Sequence, residues 1–240
     1  MSLANPHLDA FAKTWEDSFF RPSQNTSFLI PKYQRKYSWK DVQVEEFWQD
    51  LNTSDNLFIG TVMLRKTTSG QFEIIDGQQR FLNITMICAL IRDKLFGIGT
   101  ADSKEQARTI QTDAIARRVM APTGTTEHYF LEPGQSLRTL FKNHIQSFEG
   151  QSLLEVEISA IGSTKEERLI KEQYQSLNDK IDETIANDMG QEAKQDKLFN
   201  LWMKICQLRI IYVEIEKLQL RIFICIKDIE EESGNAGIME

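Results

Sequence analysis

Residues 72–91 read FEIIDGQQRFLNITMICALI. A β-branched run ends at Asp76, one glycine follows, and the next apolar stretch is too long for a second strand. From Gly77 to Phe96 the length and composition specify a helix. Its apolar residues, Phe81, Leu82, Ile84, Met86, Ile87, Leu90, Ile91 and Leu95, fall on nearly every side of a helical turn. A helix that is apolar all round is covered on several sides, so this one is expected at the centre of the fold.

The flanking segments supply what covers it. Leu57 to Arg65 reads as a strand, TTSGQ as a turn, and Phe72 to Asp76 as its hairpin partner. Upstream, Leu8, Phe11, Trp15, Phe19 and Phe20 recur at steps of three and four, which predicts an amphipathic helix over Leu8 to Phe20. SFLIPKYQRKYSW reads as extended, because Pro31 keeps Ile30 out of helical geometry. Ser38 with Asp41 resembles an N-cap and its acidic third position, followed by a stripe of Val44, Phe47, Trp48 and Leu51. The second half is mainly helical: Ala101 to Arg118, a segment after Pro133, Ser163 to Ile185 opened by a Ser163/Glu166 capping box, and a helix around Leu198 to Ile205. LRIIYVEI then reads as a strand returning to the first-half sheet. The expected class is α+β, a small mixed sheet with packed helices plus a mainly helical second subdomain. The expected units are a core over 1–97, helices over 98–207, returning strands over 208–226 and a flexible acidic tail over 227–240.

The chain has 240 residues, with 28 Lys and Arg against 35 Asp and Glu, a net charge of −7. That excludes a globally basic nucleic-acid coat but leaves room for a local basic patch. Cys88, Cys206 and Cys225 lie far apart in apolar runs, which fits buried thiols in a reducing compartment rather than a disulfide scaffold or zinc knuckle. No secretory pattern opens the chain, and nowhere do 18 apolar residues run uninterrupted. A soluble cytoplasmic protein with no membrane partner is expected.

Two stretches carry candidate chemistry. The start of the central helix leaves backbone N–H groups unpaired under partial positive charge, a setting that accepts phosphate. Gly77 removes an obstructing side chain, Arg80 can fork phosphate oxygens, and Gln78 and Gln79 can meet a phosphate, a base edge or an attacking water. Asp76 can hold a magnesium-bound water or orient Arg80. A plainer reading is a capping box in which Asp76 caps the helix and Gln79 reaches back. The second stretch is IPKYQRKYSWK, eleven residues with Lys32, Arg35, Lys36 and Lys40 and no acid. Basic and aromatic residues interleaved on an extended segment can grip phosphates and stack a base. The same pattern equally suits a solvated strand edge with Tyr33, Tyr37 and Trp39 packed inward.

IPKYQRKYSW followed by FWQDL, then FIGTVML, then IIDGQQR resembles the signature order of one family. It is the N-terminal domain of GmrSD-type modification-dependent restriction endonucleases, related in fold to ParB and sulfiredoxin. The resemblance implies a module that binds and hydrolyses a nucleoside triphosphate with Mg²⁺ and controls cleavage of foreign, often modified, phage DNA. It implies Asp76, Gly77, Gln78, Gln79 and Arg80 as the nucleotide motif, with Tyr33, Gln34 and Arg35 as companions across the site. Gly60 would let strands approach closely. Lys32, Lys36 and Lys40 are the expected further phosphate or DNA contacts.

Past the late strand the family continues into an F-x-x-L-N-x-R-G segment. This chain instead reads LQLRIFICIKDIEEESGNAGIME, as a truncated or frame-shifted copy would. Its only histidines, His7, His128 and His144, have no spacing for a His-Asn-His nuclease, so the nuclease is expected in a domain or subunit supplied elsewhere. Two other readings stay open: a non-catalytic DNA- or partner-binding module, and an inactive remnant of the fold.

Overall fold

The computed structural model describes residues 9–22, 26–121, 124–148, 150–157, 164–186 and 189–215. In chain order, the first half contains β1 (Asp9–Thr14), α1 (Trp15–Phe19), β2 (Phe28–Leu29), α2 (Asp41–Thr53), β3 (Phe58–Lys66), β4 (Phe72–Asp76) and α3 (Gln78–Ile98). The second half contains α4 (Ala101–Ile110) running into a π-helical turn (Gln111–Ile115), then β5 (Ala116–Ala121), β6 (Gly124–Tyr129) and β7 (Leu131–Glu132). After these come α5 (Arg138–Leu140) with a second π-helical turn (Phe141–Ile145), α6 (Lys165–Thr184), α7 (Gln191–Cys206) and β8 (Arg209–Ile215).

One mixed sheet has the order β1-β8-β3-β4-β2-β7, and β5 and β6 form a separate antiparallel pair. The β3–β4 hairpin is antiparallel, and β8 returns to lie parallel to β3 and antiparallel to β1. This mixed sheet with packed helices is the expected α+β class. Helix α3 is its centre: every residue from Gln78 to Arg92 except Arg80 is buried. Of the expected returning strands and acidic tail, residues 216–240 lie outside the described residues, as do His7 and Cys225.

The expected helix over Leu8 to Phe20 starts only at Trp15. Before it, β1 pairs with β8 from Asp9↔Glu214 to Thr14↔Arg209. The periodicity counted Phe11 as an inward residue, yet it is 50% exposed. A ladder partner some two hundred positions away outweighed a local pattern, as tertiary context commonly does. Trp15 and Phe19 do share one buried helical face. Their rings join those of Phe28 and Phe81 in a cluster with centroids 4.4 to 5.5 Å apart.

Three other boundaries differ. The helix expected to reach Arg118 gives way at Ala116, where β6 supplies a hairpin partner. Helix α2 begins at Asp41, with the Gln43 carboxamide oxygen accepting from the Lys40 N–H at 2.9 Å, while the Ser38 N–H is taken elsewhere. The capping box of α6 sits one residue later than expected: Thr164 Oγ1 accepts from the Glu167 N–H at 3.2 Å and Glu167 reaches back. That shift releases Glu166 for another task.

Under α3 lies a buried polar knot. The Arg92 guanidinium, 1% exposed, donates to Gln111 Oε1 (2.6 Å), Ile145 O (3.1 Å), Gln146 O (3.3 Å) and Asp93 Oδ1 (2.7 Å). Gln111 also donates to Gln146 O, and Gln146 donates to Leu131 O. One cation thereby ties α3 to both π-helical turns and, through Gln146, to β7.

The thiols behave as expected of buried groups. Burial pushes Cys88 well up and Cys206 up to about 12, so the reactive thiolate is scarce at either. In the native chain at pH 8, peptide mapping after iodoacetamide is expected to find Cys88 and Cys206 unmodified, and both alkylated in urea. Rapid native alkylation of either would contradict the packing. Among the described residues, no helix is long and apolar enough to cross a membrane.

Candidate functional site

Strand β4 ends at Asp76, and the chain turns into α3 through Gly77, whose φ of 98° is left-handed. A Cβ there would also lie 3.1 Å from Val62 Cγ2, so glycine meets both a conformational and a packing need. Gly77 is the N-cap and makes no side-chain cap. Among the described residues the Asp76/Gln79 capping box is not formed, and Gln79 bonds residues 36 and 38 instead.

Successive residues of a helix point about 100° apart, so Gln78, Gln79 and Arg80 splay in different directions. Gln78 Nε2 donates to Arg35 O at 2.8 Å. Gln79 accepts the Ser38 N–H at 3.1 Å and donates to Lys36 O at 3.3 Å. The two glutamines thus clamp the backbone of residues 35–38. Arg80 turns the other way, donating to Ile59 O at 2.6 Å and meeting Asp76 at 3.4 Å. Burial lowers its proton affinity and Asp76 opposes that effect. Gly60, with φ of 97°, sits where β3 shifts register against β8, and a Cβ there would lie 2.8 Å from Arg80 Nη1. The close approach that Gly60 permits is thus that of a guanidinium, rather than of strand on strand.

The basic loop is held at further points. Gln34 donates to Ile75 O at 2.7 Å, at the end of β4. Tyr37 is buried, with its hydroxyl 3.0 Å from Asn83 Oδ1, and burial pushes the phenol well up so that it stays a neutral donor. The Tyr37 N–H donates to Glu166 Oε1 at 2.7 Å, and the Ser136 hydroxyl donates to Glu166 Oε2 at 2.6 Å. Glu166 belongs to α6, so the helical half reaches over to fasten the loop.

Between these parts lies a cavity of about 240 Å³. Loop residues Lys32, Gln34, Arg35 and Lys36 line it, with Gln78 and Leu82 from α3, Ser136, and Glu166. Lys32, Arg35 and Lys36 are exposed, and among the described residues none of them pairs with a carboxylate. Gln78 and Glu166 are 5% and 7% exposed, and Gln78 Oε1 is a buried acceptor that among the described residues meets no donor. Of the residues anticipated from sequence, Lys32, Gln34, Arg35, Lys36 and Gln78 come together here. Gln79 supports the loop from beneath. Asp76, Gly77 and Arg80 do not line this cavity, nor does Lys40, the N-cap of α2. Tyr33 is 53% exposed beside the Arg65–Glu73 pair, and partial burial with Glu73 nearby raises its hydroxyl.

Sequence reading missed Ser136, Asn83 and Glu166. Only Glu166 carried a signal, and its position one residue ahead of the real capping glutamate disguised it. Replacing Glu166 with alanine leaves the Tyr37 N–H and Ser136 O–H without their acceptor. The expected loss is about 1–3 kcal/mol, read as a lower urea midpoint. An unchanged midpoint would show that the latch contributes nothing to folding. Among the described residues, no group of three metal-ligating side chains converges. His128 and His144 each meet a backbone carbonyl, of Thr26 and Gln151.

The family model described as GmrSD restriction endonuclease, N-terminal domain, matches residues 17–232 of the 240. No curated protein matches the chain.

Proposed function

We propose that this chain, which belongs to the GmrSD restriction endonuclease N-terminal domain family, binds and hydrolyses a nucleoside triphosphate with Mg²⁺. In this reading hydrolysis gates a nuclease supplied by another domain or subunit, and the target is DNA, modified phage DNA included. The observation that supports it is the cavity under the basic loop. Lys32, Arg35 and Lys36 line it and among the described residues pair with no carboxylate, while the two glutamines of DGQQR clamp the backbone at residues 35, 36 and 38.

Arg35 can take two phosphate oxygens in a fork, while Lys32 and Lys36 act as point charges. Magnesium enters as part of the magnesium–triphosphate substrate. Asp76 meets Arg80 at 3.4 Å, so its first part is to hold that guanidinium. A water-mediated hold on the metal would require the triphosphate to reach round to that flank.

Phosphate release from each of the four ribonucleoside triphosphates, with magnesium, tests the reading. The native chain is expected to release phosphate from at least one of them. Arg35→Ala, which removes an exposed side chain, is expected to reduce that rate by about tenfold or more without lowering the melting temperature. Native release no faster than Arg35→Ala and Arg80→Ala would sink the proposal.

A second reading has its own observation. Lys32, Arg35, Lys36 and Lys40 are all exposed and, among the described residues, free of carboxylate partners, as a DNA-phosphate grip requires. It predicts binding that weakens steeply with salt and ignores nucleotide. The net charge of −7 opposes tight nonspecific binding and places this reading second.

A further inference from the structure

We infer that the cavity seats its ligand head inward: a hydrogen-bond-donating group lies against Gln78 and Glu166, and the anionic tail lies outward on Lys32, Arg35 and Lys36. The inference rests on the nucleotide reading and gives it a direction that the sequence does not. From the motif alone, the phosphates would sit at the start of α3 under Arg80. The structure turns Arg80 to the opposite flank, onto Ile59 O, and lines the cavity with buried acceptors, Gln78 and Glu166, and with exposed cations.

The inner wall accepts. The Gln78 carboxamide cannot turn over without losing its bond to Arg35 O at 2.8 Å, so its oxygen stays directed away from that carbonyl, buried and, among the described residues, without a donor. Glu166 accepts one hydrogen bond at each oxygen, from the Tyr37 N–H and the Ser136 O–H, and a carboxylate oxygen has capacity for a second. Its negative charge is 7% exposed and among the described residues meets no cation. A phosphate group placed there would face a carboxylate. A sugar hydroxyl or a base N–H would be welcomed by the same groups. The mouth has the opposite character, since all three cations are exposed and among the described residues lack carboxylate partners. A ligand that is a donor at one end and a polyanion at the other matches this polarity in one orientation only.

The test is calorimetric titration of the full chain with two probes, a ribonucleoside triphosphate and inorganic tripolyphosphate, before and after Glu166→Gln. The substitution keeps the shape and an acceptor for Tyr37 but removes the charge. Head-inward seating predicts that nucleoside triphosphate binding weakens by about tenfold, the size of one charge-assisted hydrogen bond. Tripolyphosphate binding is then unchanged or stronger. If both probes bind more tightly to Glu166→Gln, the phosphates lie inward and the orientation is wrong, although the nucleotide reading survives. If the native chain binds no nucleoside triphosphate at all, the nucleotide reading fails and this inference with it. Lys36→Ala, at an exposed position, is expected to weaken both probes by similar factors, and no change in either would overturn the outward tail. Repeating the titration with 2′-deoxynucleoside triphosphates separates a sugar hydroxyl from a base N–H as the inward donor.

Discussion

Replacing Arg92 with alanine is expected to lower folding stability by about 3–5 kcal/mol. The side chain is 1% exposed and its guanidinium serves four acceptors on three separate stretches of chain. Removing it leaves the Ile145 carbonyl without that donor, weakens the hold on Gln146 O, and takes the Arg92 donor from Gln111 Oε1, on a buried residue. Each buried group left unmet carries its own desolvation penalty, which is why the loss exceeds that of a single hydrogen bond. Arg92→Lys is expected to recover only part of it, because an ammonium is a point charge and cannot fork across acceptors on both π-helical turns. Urea unfolding read by circular dichroism checks both variants. A loss below about 1 kcal/mol for alanine would mean that the knot is incidental to folding.

Trp15→Ala is expected to be nearly as damaging, at about 3–5 kcal/mol. Trp15 is 1% exposed, with its ring centroid 4.4 Å from that of Phe19 and 4.8 Å from that of Phe81. It is also the residue at which the chain passes from β1 to α1, so the cavity would open where sheet, short helix and central helix meet. Phe11→Ala provides the contrast, with a change expected within about 0.5 kcal/mol because that ring is half exposed. If the segment were the amphipathic helix its periodicity suggests, both substitutions would cost alike. Comparable losses for Phe11 and Trp15 would therefore overturn the strand assignment.

Those two residues also show how far local pattern reaches. Trp15 and Phe19, four apart, have the spacing of one buried face and form one. Phe11 fitted the same spacing and lies on a strand, because β8 offered a ladder to β1. The β3–β4 hairpin and α3 were legible because each is decided within a few residues: a β-branched run and a turn for the first, an apolar circumference for the second. The basic loop and DGQQR were legible as candidate chemistry for the same reason. What escaped was the partnership between them. From sequence Gln79 suits a capping residue or a phosphate ligand, whereas it holds the backbone at Lys36 and Ser38. Glu166 reads from sequence only as a cap, whereas it accepts from Tyr37 and Ser136.

Residue order along the chain settled the strand–glycine–helix unit, the character of α3 as a central helix, and the clustering of positive charge between Lys32 and Lys40. The direction in which Arg80 points, the depth of Gln78, and the arrival of Ser136 and Glu166 from the second half followed from packing. The physical reason is one of range. Backbone propensity and apolar periodicity act over one or two turns and leave a trace in neighbouring letters. A carboxamide or carboxylate bonds whichever backbone group comes within about 3 Å. Which group that is depends on how helices and sheet close around α3.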